Sequence, residues 1–160
     1  MKIYNDDNRL KISFKLNNEL MKKQVKPRQL LSDFLRFDCG MTGTHVGCEH
    51  GICGACTILF NDKPVRSCLM LAPQIDEGEI TTIEGLKTKK GLNIVQKAFK
   101  EFNAAQCGYC TSGIIISLSE LFKRENKPNR DQVNKALEGH LCRCGSHSAV
   151  LQAIENINQG

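Results

Sequence analysis

The sequence predicts an α+β chain in which a mixed-sheet half with one helix is followed by a linker and a small bundle of four helices. Three observations carry this. Leu10, Ile12, Phe14 and Leu16 alternate with Lys11, Ser13 and Lys15, the period of a half-buried strand. Glycines at 40, 43, 47, 51 and 54, with three cysteines, make a long loop that has no repeating apolar face. Beyond residue 91 the apolar residues recur at helical spacing.

The elements follow in chain order. The first strand ends at an Asn17-Asn18 turn, and its hairpin partner runs through Leu20 to Val25. Pro27 suits a first helical turn, and Leu30, Leu31, Phe34 and Leu35 have the spacing of a helix that stops near Cys39-Gly40. After the glycine-rich loop, Thr57 to Phe60 and Val65 to Leu71 read as strands around an Asn61-Asp62 turn, and Ile80 to Ile83 as another. The polar stretch Gly85 to Gly91, with Lys87, Lys89 and Lys90, reads as a linker, which divides the chain into 1–84, 85–91 and 92–160. Four helices are expected after it. Leu92, Val95, Ala98, Phe99 and Phe102 share one face, Ile114, Ile115, Leu118, Leu121 and Phe122 a second, Val133, Ala136 and Leu137 a third, and Val150, Leu151, Ile154 and Ile157 the last.

Two domains within 160 residues would each have a small core, so a further stabiliser is expected. Nine cysteines behind an N-terminus that reads MKIYNDDNRLKI, without an apolar signal or spanning segment, favour reduced thiols and bound metal over a disulfide scaffold. The expectation is a cytoplasmic protein without direct membrane insertion, export alongside a partner remaining open. The net charge of +5 comes from scattered lysines without interleaved aromatics, which argues against nucleic acid as a partner. With no tryptophan and no glycine-rich phosphate loop, a nucleotide site has no support, and redox chemistry must rest on the cysteines.

The cysteines form two constellations. Cys48, Cys53 and Cys56 have the C-x4-C-x2-C spacing of a plant-type 2Fe-2S site, and Cys68 can supply the fourth thiolate. Glycines between them allow the backbone to curl round a cluster and turn its N–H groups towards the sulfurs. Cys107 and Cys110 (C-x2-C) and Cys142 and Cys144 (C-x-C) each lie just before an expected helix, where the helix dipole favours thiolate and an anionic cluster. Taken alone, this second set would read first as a zinc site. Cys39 is the odd cysteine and reads as a small filler at a helix end, and His45, His50, His140 and His147 as polar loop residues.

With Gly47-Cys48, Cys53-Gly54-Ala55-Cys56-Thr57, Arg66-Ser67-Cys68, Gln106-Cys107-Gly108-Tyr109-Cys110-Thr111 and Leu141-Cys142-Arg143-Cys144 in this order, nearly the whole chain resembles the iron-sulfur subunits of the xanthine oxidase family. The resemblance implies a β-grasp, ferredoxin-like 2Fe-2S domain to about residue 84 and a four-helix 2Fe-2S-binding domain after it. It implies that Cys48, Cys53, Cys56 and Cys68 hold an outer cluster, and Cys107, Cys110, Cys142 and Cys144 an inner cluster nearer molybdenum. Gln106 matches the glutamine that contacts the pterin of the molybdenum cofactor. That cofactor, the substrate, an aldehyde or N-heterocycle, and all acid-base catalysis would belong to a large molybdenum-binding partner. The electron acceptor would be a flavin subunit carrying FAD or a haem cytochrome. Ser112, His140 and Gly145-Ser146-His147 depart from the family's usual proline, asparagine and Thr-Gly-Tyr without removing a ligand. The Cys-Arg-Cys-Gly ending is similar to the two-chain aldehyde, isoquinoline and nicotinate dehydrogenases. Other classes of function to weigh are a free-standing two-cluster ferredoxin or redox sensor and a zinc-organised interaction module.

Overall fold

The computed structural model describes residues 8–88 and 91–159. The first seven residues, and Lys89 and Lys90 of the expected linker, lie outside the described residues. Strand β1 (Leu10–Leu16) buries Ile12, Phe14 and Leu16 and exposes Lys11 and Lys15, as the alternation requires. It turns through Asn17 and Asn18, both at positive φ (51° and 71°), into antiparallel β2 (Glu19–Val25). Positive φ at both central positions matches the twist of a two-residue hairpin, and asparagine tolerates it.

Strands β3 (Thr57–Phe60), β4 (Lys63–Arg66) and β5 (Glu79–Thr81) complete a five-stranded sheet of order β2-β1-β5-β3-β4. β5 runs parallel to β1, with Lys15 opposite Glu79, and antiparallel to β3. Across the sheet lies a helix that is α-helical at Leu31–Asp33 (α1) and continues as a π-helix at Phe34–Asp38, closed by the Cys39 N–H donating to the Phe34 carbonyl at 3.1 Å. Leu31, Phe34 and Leu35 are fully buried against the sheet. The Phe34 ring meets Phe14 edge-on, 5.7 Å between centroids. Each such side chain removed from water contributes about 1.5–3 kcal/mol. This is the β-grasp arrangement that the resemblance implies.

Three local expectations are corrected. The strand expected over Val65 to Leu71 ends at Arg66, because the Ser67 N–H and hydroxyl both turn back to the Cys56 carbonyl (3.3 and 2.8 Å) and start a 3-10 turn, Ser67–Leu69. The strand expected over Ile80 to Ile83 stops at Thr81. Asn17 draws off the Thr82 N–H at 2.9 Å, and Ile83–Leu86 is a 3-10 turn that occupies the start of the expected linker. Leu92 precedes the N-cap of the next helix and stays 39% exposed instead of joining its apolar face.

The helical half comprises α2 (Ile94–Glu101), α3 (Thr111–Arg124), α4 (Arg130–Leu137) and α5 (His147–Gln159). Asn93 and Gln96 close a reciprocal capping box on α2, and Asn129 and Gln132 do the same on α4, satisfying N–H groups that a helix start leaves free. Val95, Phe99, Ile114, Leu118, Leu121, Val133, Val150 and Ile154 form a second core, separate from that of the sheet half. The halves are nonetheless in contact, since α3 lies against β3 and β4 as well as against α2 and α4. No helix among the described residues is long and apolar enough to cross a membrane.

Candidate metal centres

The first constellation is built on the loop that leads into β3. Glu49, Gly51 and Gly54 have φ of 57°, 83° and 76°, so the chain curls between residues 48 and 56 in the way the spacing demands. Within the curl, the Cys53 N–H points at Cys48 Sγ, 3.4 Å away. The backbone N–H groups of Cys53 and His50, with help from the Cys53 thiol and the Ile52 N–H, hold the Cys48 thiol down at about 6. Cys56 and Cys68 lie deeper, 1% and 3% exposed. Burial, reinforced by Cys56 beside it, pushes Cys68 up to about 12. The Ser67 turn that ends β4 early is what brings Cys68 round to Cys56.

Helix ends supply the second constellation. Cys110 caps α3, and Cys142 and Cys144 lie on the turn before α5. Cys107 is lowered by the Tyr109 N–H and then by the Cys144 thiol. For Cys142, burial works upwards but is outweighed by the hydroxyl and N–H of Ser146 and by the Cys110 thiol, which leave it at about 7. Burial drives Cys110 up to about 11. Cys107 and Cys144 are exposed.

The side chains interact in pairs: Cys48 with Cys53, Cys56 with Cys68, Cys107 with Cys144, and Cys110 with Cys142. Among the described residues no three His, Cys, Asp or Glu side chains converge as they would on one metal ion. A 2Fe-2S cluster asks for four thiolates shared between two irons, and two thiol pairs at each site, with N–H groups facing the sulfurs, fit that demand.

The two sites meet at a glycine joint. A Cβ on Gly113, in the first turn of α3, would run into the Gly54 carbonyl, and one on Gly54 would come within 2.6 Å of both the Gly139 carbonyl and His140 Nδ1. The first cysteine loop is thus wedged between the two arms that carry the second set. Hydrogen bonds close the joint: the Leu141 N–H donates to the Cys53 carbonyl at 3.0 Å, and Arg66 donates to Thr57 Oγ1 at 2.5 Å and to the Gly139 carbonyl at 3.0 Å. On the outer side, the Tyr109 hydroxyl donates to the Val46 carbonyl at 2.7 Å and its ring stacks on His45 at 4.8 Å.

Cys39 packs with the sheet-half core, away from both sets, and burial raises its thiol to about 11. Gln106 is exposed next to Cys107. His140, expected as a polar loop residue, is 3% exposed; its Nε2 bonds Ser117 Oγ at 2.8 Å, and burial lowers it to about 4. Sequence reasoning missed the parts played by Gly113, Gly139, Ser146 and the Tyr109-His45 stack. The only signal for the glycines was their place near cysteines.

Comparison with known proteins agrees with this architecture. A family model described as a 2Fe-2S iron-sulfur cluster binding domain matches residues 14–84, and one described as a 2Fe-2S binding domain matches residues 82–155. The chain is 40% identical over 150 residues to the caffeine dehydrogenase subunit gamma of Pseudomonas sp. (strain CBB1), covering 92% of this chain and 90% of that one. It is 42% identical over 146 residues to the nicotine 6-hydroxylase small subunit of Paenarthrobacter nicotinovorans, 91% and 88% of the two chains. The crystal structure of quinoline 2-oxidoreductase from Pseudomonas putida 86 contains a chain that superposes with a TM-score of 0.87 at 39% identity, over 95% of this chain and 98% of that one. Two fused 2Fe-2S-binding modules, and this likeness over nearly the full length of such relatives, mean that the chain belongs to the iron-sulfur small subunits of the molybdenum hydroxylases, the xanthine oxidase family.

Proposed function

We propose that Cys48, Cys53, Cys56 and Cys68 hold an outer 2Fe-2S cluster and Cys107, Cys110, Cys142 and Cys144 an inner one, in a subunit that relays electrons from a molybdenum-pterin site in a larger partner chain. Residues 1–84 form the ferredoxin-like domain, 85–91 the linker and 92–160 the helical domain. The observation that carries the order of the relay is the contrast in exposure: Cys56 and Cys68 are buried within the chain, whereas Cys107, Cys144 and Gln106 stand open on its surface. An open thiolate pair beside a pterin-contacting glutamine is what a covering partner would complete.

Bound clusters supply one-electron redox chemistry, which divides the two electrons of a hydroxylation into single transfers. The chain's own residues hold and connect the two sites. Backbone N–H groups of His50, Ile52 and Cys53 stabilise negative charge at Cys48, and those of Tyr109 and Ser146 do so at Cys107 and Cys142. The hydrogen bond from Leu141 to Cys53 joins the peptide of one set to that of the other, so Cys53, Leu141 and Cys142 form a continuous route between them.

Caffeine, nicotine and quinoline in the relatives' names support an N-heterocycle, with an aldehyde as the second class, for the substrate oxidised in the partner. A flavin subunit or a cytochrome takes the electrons, and the complex works in the cytoplasm. Electron paramagnetic resonance of the assembled complex tests the order. Cys107→Ser is expected to abolish the magnetic coupling between the partner's molybdenum and its nearest cluster, and Cys53→Ser to leave it intact while cutting transfer to the acceptor. The opposite pattern reverses the assignment of inner and outer sites.

A further inference from the structure

Ser146 stands immediately before α5, where a serine hydroxyl ordinarily accepts a hydrogen bond from the helix's first free N–H groups. Here it faces the other way. Its Oγ lies 3.0 Å from Cys142 Sγ, and its backbone N–H donates to the same sulfur at 3.4 Å. The residue is 4% exposed, and among the described residues Cys142 is the hydroxyl's only hydrogen-bond partner. A buried hydroxyl without a partner is destabilising, so the sulfur is what satisfies this group.

Nothing equivalent occurs at the first set. The neighbouring hydroxyls of Thr57 and Ser67 donate to the carbonyls of Gly54 and Cys56, not to thiols. Of the eight cysteines in the two sets, Cys142 alone has a side-chain hydroxyl on its sulfur among the described residues.

We infer that Ser146 is a tuning residue, whose hydroxyl raises the reduction potential of the cluster held by Cys142. The inference rests on the proposed reading of Cys142 as a ligand. A metal-bound thiolate carries no proton, so the hydroxyl must donate. Reduction adds one electron and therefore negative charge to the sulfurs; no bond breaks and the proton stays on Oγ. A donated hydrogen bond strengthens as the acceptor gains charge, so it favours the reduced form. The effect falls on the helical site alone and makes its cluster a stronger electron acceptor than it would be without the hydroxyl.

Redox titration of the full chain carrying both clusters, followed by electron paramagnetic resonance, reads the two potentials separately. Ser146→Ala is expected to lower the helical cluster's reduced-to-oxidised ratio at fixed potential by up to about tenfold, a shift of about 59 mV for a one-electron couple, and to leave the other cluster where it was. Ser146→Thr, which keeps the hydroxyl, is expected to hold the wild-type value. Should the alanine variant fail to keep its cluster, Ser146→Gly serves in its place, because glycine is tolerated before a helix. An unchanged potential in the fully loaded Ala or Gly variant, or a Thr variant that falls as far, overturns the inference. Failure of the underlying reading looks different: Cys142→Ser would then retain both cluster signals.

Discussion

The two cysteine sites solve one problem in opposite ways. The sheet-half site builds its own enclosure: a glycine-curled loop covers Cys56 and Cys68 while N–H groups crowd round Cys48. The helical site borrows helix ends, buries Cys110 and leaves Cys107 and Cys144 exposed. Under the proposed assignment, the open site is the one that a covering partner would complete. The glycine joint brings the two into close contact although their supporting cores are separate.

The largest expected effect separates the sites outright. Cys53→Ser should lose roughly half of the chain's iron, as should Cys107→Ser, because an incomplete thiolate set holds its cluster poorly. Metal analysis checks this, and loss of both clusters from either variant would show that the sites are not independent. Gly113→Ala comes next. In an open helix alanine is favoured over glycine by about 1 kcal/mol, yet here the new Cβ strikes the Gly54 backbone, so a net destabilisation of about 1–3 kcal/mol is expected in thermal melts. A stabilised variant would mean that the joint gives way freely.

A subtler contrast lies within each site when it is free of metal. Thiolate is the nucleophile, so alkylation of Cys48 should rise as pH passes about 6 and that of Cys142 as it passes about 7. Cys68 and Cys110, raised to about 12 and about 11, should stay slow through neutral pH. Mass mapping of labelled peptides across a pH series tests the ranking, and uniform labelling would contradict it. The smallest effect belongs to Cys39→Ser, which should keep its iron, since Cys39 lies with the sheet-half core and not with either set.

What could be read from the sequence was what local geometry fixes. Alternation in β1, helical periodicity from α2 to α5 and the cysteine spacings within each loop all reflect contacts made a few residues away. Contacts between distant segments were not readable. Nothing in Val65 to Leu71 reveals that Ser67 bonds the Cys56 carbonyl and pulls the chain out of the sheet. Gly113 carried no signal beyond its place near Cys110, and its purpose appears only against Gly54. His140 looked like a loop polar group because the patterns that signal burial need regular structure, whereas its burial comes from α3 through Ser117.

The metal content of the whole chain distinguishes two clusters from zinc most directly. Anaerobically purified protein is expected to contain about four iron and about four acid-labile sulfide per chain, two of each for every cluster, and negligible zinc. Stoichiometric zinc without acid-labile sulfide would contradict it.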